Sequence, residues 1–266
     1  MRIMIIIHTA NEAALETLRD RIAQLREDGH EVFPRLTFEA GDAAWMARDG
    51  CRSGCDLLIA AGGDGTINET VNGLHSWFAE GGGTGAEMPR LGILPLGTAN
   101  DLAGMLGIPA EVDDALQVAL YGRDQPFDVG VVEGRCFVNV STGGFGAEAS
   151  DETPEDAKRA LGPLAYLITG VRKFASLEPL TARISSQGKR VAEGRFMLFV
   201  VGNGRRTGGG NFLTPRADPS DGLLDLLLVD VARGVPAAAP ATSGRRAPGP
   251  PPGDLPTASG AARGGR

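Results

Sequence analysis

Three cysteines in 266 residues are too few for a disulfide framework, and their odd number argues the same way, so a reducing cytoplasm is the default compartment. Cys51 and Cys55 have a C-x3-C spacing with no second ligand pair nearby, which suits ordinary buried or loop cysteines better than zinc. No apolar run approaches the length of a bilayer span. The opening Met1-Arg2-Ile3-Met4-Ile5-Ile6-Ile7 is too short for a signal segment and is interrupted by His8 and Thr9, so it reads as a first buried strand. A basic excess is missing as well. The net charge of −7 leaves nothing general to neutralise nucleic-acid phosphates. The chain also has no P-loop of the G-x4-G-K-[ST] type and no protein-kinase signature set.

What is present is an alternation. After the first strand, Leu15, Leu18, Ile22 and Leu25 recur at the spacing of one helix face, and Gly29 stops them. Residues 31–38 read as a strand that Pro34 pushes toward a sheet edge. A short helix follows over 42–48, with Trp45 and Met46 packing. Residues 56–60 form a strand, 67–74 a helix, 91–94 a strand and 113–120 a helix. Strands alternating with helices predict a parallel sheet covered by helices. From about Asp128 the pattern becomes β-rich: strands over 127–132, 136–141, 180–185 and 195–202, turns at Glu133-Gly134 and Gln187-Gly188-Lys189, a helix over 163–174, and an apolar run over 223–231. The expected domains are therefore 1–127, α/β, and 128–231, β-rich. Residues 232–266 are Ala, Gly, Pro and Arg with few large aliphatics, and read as a disordered tail.

The segment richest in chemistry is AGGDGTINETVNG, residues 61–73. A buried strand, a glycine turn and a helix start make a phosphate cradle. Glycines permit positive φ and close backbone approach, and the turn and helix N-terminus present N–H groups to an anion. In such sheets ligands bind beyond the C-terminal strand ends, where this turn lies. Gly63, Gly65 and Thr66 are placed to cradle phosphate, while Asp64 suits a hydrogen-bonding or nucleotide-metal role. A second strand–turn–helix unit spans 94–103, LPLGTANDLA, where Thr98 or Asn100 can cap the helix at Asp101 and also face a ligand. Further glycine-rich segments lie at 141–148 and 202–210, the latter carrying Arg205 and Arg206. Before the last strand, Asp218 and Asp221 offer carboxylate oxygens, with the Leu223 carbonyl, to a hard cation. The same residues equally suit an Asp-Gly turn entering a strand.

These segments, in this order, resemble the diacylglycerol-kinase-like lipid kinases of bacteria, most closely the YegS type, over about residues 3–231. The resemblance implies an N-terminal α/β nucleotide domain and a C-terminal β-sandwich domain, incomplete in this chain. It implies transfer of the γ-phosphoryl group of ATP to a lipid hydroxyl with Mg2+. It implies ATP contacts at Thr37, at Gly63, Asp64, Gly65, Thr66, Ile67, Asn68 and Glu69, and at Thr98, and a metal site at Asp218, Asp221 and Leu223. The lipid, diacylglycerol or phosphatidylglycerol among the choices, would be reached by peripheral membrane contact from the cytoplasm; nucleic acid is not an expected partner, and oligomeric state is not legible.

The chain departs from this family in two places. His8-Thr9-Ala10-Asn11 stands where relatives usually have an Asn-Gly-Lys-Ser-like turn. Relatives also carry a late Asp-Gly-Glu whose Glu is the proposed base, whereas this chain has no Glu after Glu193. No catalytic residue is therefore assigned, and a frameshifted or shortened C-terminus is the expectation. Two alternatives follow: a catalytically dead nucleotide-binding protein or gene fragment, and an NAD-kinase-like enzyme, since that group shares the Gly-Gly-Asp-Gly-Thr turn.

Overall fold

A computed structural model describes residues 1–9, 11–82, 88–144, 179–230 and 247–248. Two compact units are present, one on Met1–Val138 and one on Asn139–Pro250.

The first unit is a parallel sheet with helices. β1 (Arg2–Ile7), β2 (Glu31–Leu36), β3 (Leu57–Gly62) and β4 (Arg90–Pro95) run in the order β2-β1-β3-β4, all neighbours parallel. The three apolar runs among them are buried nearly end to end, the mark of strands covered on both faces. β2 is the edge strand, as Pro34 requires, because a proline cannot donate to a further neighbour. α1 (Glu12–Glu27) buries Ala14, Leu18, Ile22 and Leu25, and its first turn is capped by the Asn11 side chain on the Ala14 N–H. α2 is longer than expected, Asp42–Arg52, and Trp45 on it is 60% exposed rather than packed, while Met46 is buried. α3 (Asp64–Ala79) starts directly after β3 and crosses α2 closely: a Cβ at Gly73 would run into the Ala44 carbonyl and the Ala47 methyl. α4 (Asp101–Leu106) and α5 (Val112–Tyr121) complete the layer.

The hairpin of β5 (Gly130–Val132) and β6 (Arg135–Phe137), read from the sequence with the second domain, belongs to the first unit. The reason is packing and polar pairing. Phe127, Val129, Cys136 and Val138 join the first core. On α3, the Asn72 amide donates to the Cys136 carbonyl at 2.9 Å and accepts from its N–H at 2.8 Å. Asn68 Oδ1 accepts from the Val138 N–H at 3.2 Å.

The second unit is built around β9 (Lys189–Gly202), which pairs antiparallel with β7 (Val140–Gly144), β8 (Leu180–Ser186) and β12 (Leu223–Asp230). The β8–β9 hairpin turn expected at Gln187-Gly188-Lys189 is present but shorter, with Gln187 and Gly188 alone between the strands at φ of 50° and 73° and Lys189 already paired with Ser186. β10 (Arg206–Thr207) and β11 (Asn211–Phe212) form a small hairpin, and Leu198, Val200 and Leu213 are the buried centre. Within the tail expected to be disordered, Ala247–Pro248 forms a two-residue bridge, β13, on β12. The helix expected over 163–174 and the remainder of the tail lie outside the described residues.

Candidate functional site

Four strand ends of the first unit converge at the C-terminal edge of the sheet. Ile7 lies level with Leu36 and with Ala61, and Gly62 with Pro95. Beyond them come His8, Thr37, Gly63 and Gly97. β1 and β3 lie side by side while the chain proceeds from β1 to the opposite edge, so this is the point where strand order reverses and where open α/β sheets bind ligands.

The glycine turn does not use positive φ. Gly62, Gly63 and Gly65 all lie outside that region, and Gly63 caps α3 with extended backbone at φ −89° and ψ −172°. The expectation of left-handed glycines is thus corrected, and what they provide is room. A Cβ on Gly62 would strike the Thr66 side chain. A Cβ on Gly63 would lie 3.2 Å from the Gly97 Cα, and one on Gly97 would collide with the Gly63 Cα. The β3 and β4 turns therefore meet backbone to backbone, and Leu96 N–H donates to the Gly62 carbonyl at 3.0 Å. At Gly65 nothing lies within 4 Å of an added Cβ, and the residue is exposed. Here, in the first turn of α3, N–H groups have no carbonyl four residues back and carry the positive end of the helix dipole.

Asp64 takes the hydrogen-bonding role. Its two carboxylate oxygens accept from the backbone N–H of Asp101 at 3.0 Å and of Leu102 at 2.9 Å, so it caps α4 from the neighbouring turn. Neither Thr98 nor Asn100 caps that helix. Asn100 is left-handed at φ 50° and turns its side chain back, accepting from Gly97 N–H and donating to the Pro95 and Gly97 carbonyls. Thr98 is exposed at the rim.

The rest of the sequence-derived set separates by burial. Thr66 is 7% exposed and Ile67 fully buried, with the Ile67 N–H bonded to the Gly63 carbonyl at 3.1 Å. Asn68 faces the β6 hairpin, as above. Glu69 accepts from the Gly41 N–H at 3.0 Å and so ties α3 to the start of α2. Thr37 Oγ1 and His8 Nδ1 share a hydrogen bond of 2.7 Å, and the Thr37 N–H donates to the Ile7 carbonyl at 3.0 Å. The turn after Thr37 is fixed by Asp42, whose Oδ2 accepts from the N–H of Phe38 at 2.7 Å and of Glu39 at 3.1 Å. Those two bonds hold the Asp42 carboxyl below its usual range. His8, the Asp64 bridge and the Gly63–Gly97 contact escape sequence reasoning because each joins residues from different turns.

In the second unit, Asp218 Oδ1 accepts from Ser220 N–H at 3.1 Å and its hydroxyl at 2.7 Å, and Asp221 Oδ1 accepts from Leu223 N–H at 3.0 Å. This is an Asp-rich turn entering β12. Arg205 Nε donates to the Ala217 carbonyl at 2.8 Å and anchors the same turn, while Arg206 stacks over Phe212 at 4.6 Å. Among the described residues no group of three His, Cys, Asp or Glu converges to hold a metal. The donor set of two carboxylates and a carbonyl nevertheless fits a hard dication, which takes oxygen ligands.

Comparison with known proteins agrees with both units. Residues 2–132 match the diacylglycerol kinase catalytic domain, and residues 139–239 match the YegS C-terminal NAD kinase beta sandwich-like domain. A protein of Enterobacter sp. (strain 638) named probable lipid kinase YegS-like is 42% identical over 223 residues, covering 84% of this chain and 72% of that protein. The probable lipid kinase YegS of Escherichia coli O6:K15:H31 is 42% identical over 210 residues, 79% of this chain and 68% of that protein. A crystal structure of a diacylglycerol kinase from Bacillus anthracis str. Sterne superposes with a TM-score of 0.68 at 26% identity, covering 89% of this chain and 75% of that one.

Proposed function

Because the chain belongs to the YegS-like lipid kinases with their diacylglycerol kinase catalytic domain, we propose that it transfers the γ-phosphoryl group of ATP to a lipid hydroxyl. One observation carries the nucleotide half of this reading: the open backbone at Gly65 on the first turn of α3, held against the β4 turn by the Gly63–Gly97 contact. Phosphoryl transfer asks a protein chiefly for positioning and charge stabilisation, and the N–H groups of a helix start held in place by a neighbouring turn would supply both without a P-loop. The N–H groups of Gly65 and Thr66 would receive the phosphates, with Ile67, Asn68 and Glu69 fixing the helix that presents them. Asp64 would act through the α4 cap, holding Thr98 and the β4 turn at the rim. Thr37 would close the opposite side.

Mg2+ would be held by Asp218, Asp221 and the Leu223 carbonyl, and when bound it supplies charge neutralisation for the transferred phosphoryl group. The lipid would be met by peripheral contact, and diacylglycerol and phosphatidylglycerol both offer a suitable hydroxyl. No helix among the described residues is long and apolar enough to cross a membrane.

The test is transfer of label from γ-labelled ATP, with and without Mg2+, to vesicles containing diacylglycerol and phosphatidylglycerol. Label in the lipid fraction that requires Mg2+ is the expected result. Nucleotide binding with no labelled lipid would replace the proposal with a nucleotide-binding protein, and label appearing in NAD would replace it with an NAD kinase.

A further inference from the structure

We propose that the β10–β11 hairpin is a membrane-contact element, in which Arg206 and Phe212 together seat against the surface of a bilayer containing an anionic phospholipid. The inference rests on the lipid-kinase reading above and adds to it the element by which the second unit meets the lipid surface.

Phe212 is 55% exposed, and among the described residues of the second unit no other large apolar side chain is left so open. Packing does not account for it, because the next residue, Leu213, already supplies the core side chain. Arg206 stands directly opposite Phe212 in the strand register, with its guanidinium carbon 4.6 Å from the ring centroid. One face of the ring is thereby covered by a cation, and the rest is open. A hairpin with two residues in each strand has little stability of its own. This one is held from its base. Leu213 and Thr214 are buried, the Thr214 hydroxyl donates to the Gly204 carbonyl at 2.7 Å, and Arg205 Nε donates to the Ala217 carbonyl at 2.8 Å. The tip, Gly208-Gly209-Gly210, is exposed at φ of 65°, 85° and 94°, and Asn211 Nδ2 closes it by donating to the Gly208 carbonyl at 2.9 Å. An aromatic ring and a cation thus stand out together on a braced support.

Chemistry and charge choose the occupant. An aromatic ring beside a guanidinium matches the bilayer interface, where the ring lies at headgroup depth and the guanidinium donates to phosphodiester oxygens. A stable protein partner buries roughly 800 Å² on each side, far more than a hairpin tip of this size offers. The chain as a whole carries a charge of −7, so attraction to an anionic surface is not general and comes from a local cation acting within about 8 Å. Exposed glycines at the tip keep its backbone at headgroup level, where polar groups stay solvated. The bond from Arg205 to Ala217 also ties the hairpin to the turn that carries Asp218 and Asp221, so the lipid contact and the proposed metal turn are joined.

The experiment is flotation of the full chain with vesicles of phosphatidylcholine alone and of phosphatidylcholine mixed with phosphatidylglycerol. Wild type, Arg206→Glu, Phe212→Ser and Phe212→Trp are compared, with a thermal melt of each. Wild type is expected to float with the mixed vesicles. Arg206→Glu should weaken that binding about tenfold at low salt, with the difference shrinking at high salt. Phe212→Ser should weaken it about tenfold at either salt. Phe212→Trp should bind as wild type does, and brominated phosphatidylglycerol should quench it beyond the quenching that wild type shows through Trp45 and Trp77. Transfer of label to a short-chain diacylglycerol dissolved as monomers should be unchanged in Arg206→Glu and Phe212→Ser. Unchanged vesicle binding in both variants overturns the inference, as does an unquenched tryptophan at 212 or an equal loss of transfer to the monomeric acceptor. Vesicle binding that depends on Arg206 and Phe212, with no transfer to any lipid by the wild type, would overturn the kinase reading and leave the membrane contact standing.

Discussion

A single glycine hydrogen separates two kinds of residue where the β3 and β4 turns meet. At Gly97 the space is filled by the Gly63 backbone, and at Gly65 it is open. Gly97→Ala should therefore cost about 1–3 kcal/mol through overpacking, read as a lower midpoint in denaturant. Gly65→Ala should keep or slightly raise stability, since alanine is the better helix former and the backbone is unstrained there. Its methyl group would nevertheless occupy the ligand's approach, and ATP affinity should fall at least tenfold in calorimetry. Equal effects of the two variants on stability would sink the division between structural and ligand-facing glycines. Asp64 ties the two turns together, because both of its oxygens accept from the first turn of α4.

At the scale of elements, the link from β2 to α2 is a carboxylate clasp. Asp42 favours its charged form in the fold because two N–H groups point at it. A carboxyl lowered in the folded state adds stability above its unfolded pKa, near 4, and loses that contribution as pH falls through the folded value. Asp42→Asn should thus be less stable than wild type at neutral pH, with the two melting curves converging below about pH 4. A gap independent of pH would show that shape rather than charge fixes the turn. Asp113 and Glu193 are lowered in the same sense by Arg21 and by the Arg183–Arg190 pair, but they are exposed partners from which little stability is expected.

At the scale of the whole molecule, the first unit contains its own core, from Ile3 to Val138. Residues 1–138 expressed alone should melt cooperatively and bind ATP, and the chain's own thiols provide the readout. All three cysteines fall in this unit, and burial pushes Cys51 up to about 12 and Cys136 to about 11. Thiolate is the reactive form, so labelling at pH 8 should be slow in the folded fragment and fast in denaturant. Rapid labelling without denaturant would show that residues beyond 138 are needed to close this core.

Local signals carried most of the elements into view. The apolar runs of β1, β3 and β4 are continuous because both faces are covered, the α1 face repeats at helical spacing, and Pro34 marks an edge, so a parallel sheet with the glycine turn at its C-terminal end was legible from the sequence by itself. The family and the position of the glycine turn were legible for the same reason, since their motifs are contiguous. Tertiary structure alone decided the rest. It assigned the β5–β6 hairpin to the first unit through Asn68 and Asn72, left Trp45 exposed, and turned Asp64 toward α4. It also made Gly63 and Gly97 a pair and set His8 against Thr37. Each of these joins atoms brought together by strand order across tens of residues, and spacing along a chain holds no record of which turns will touch.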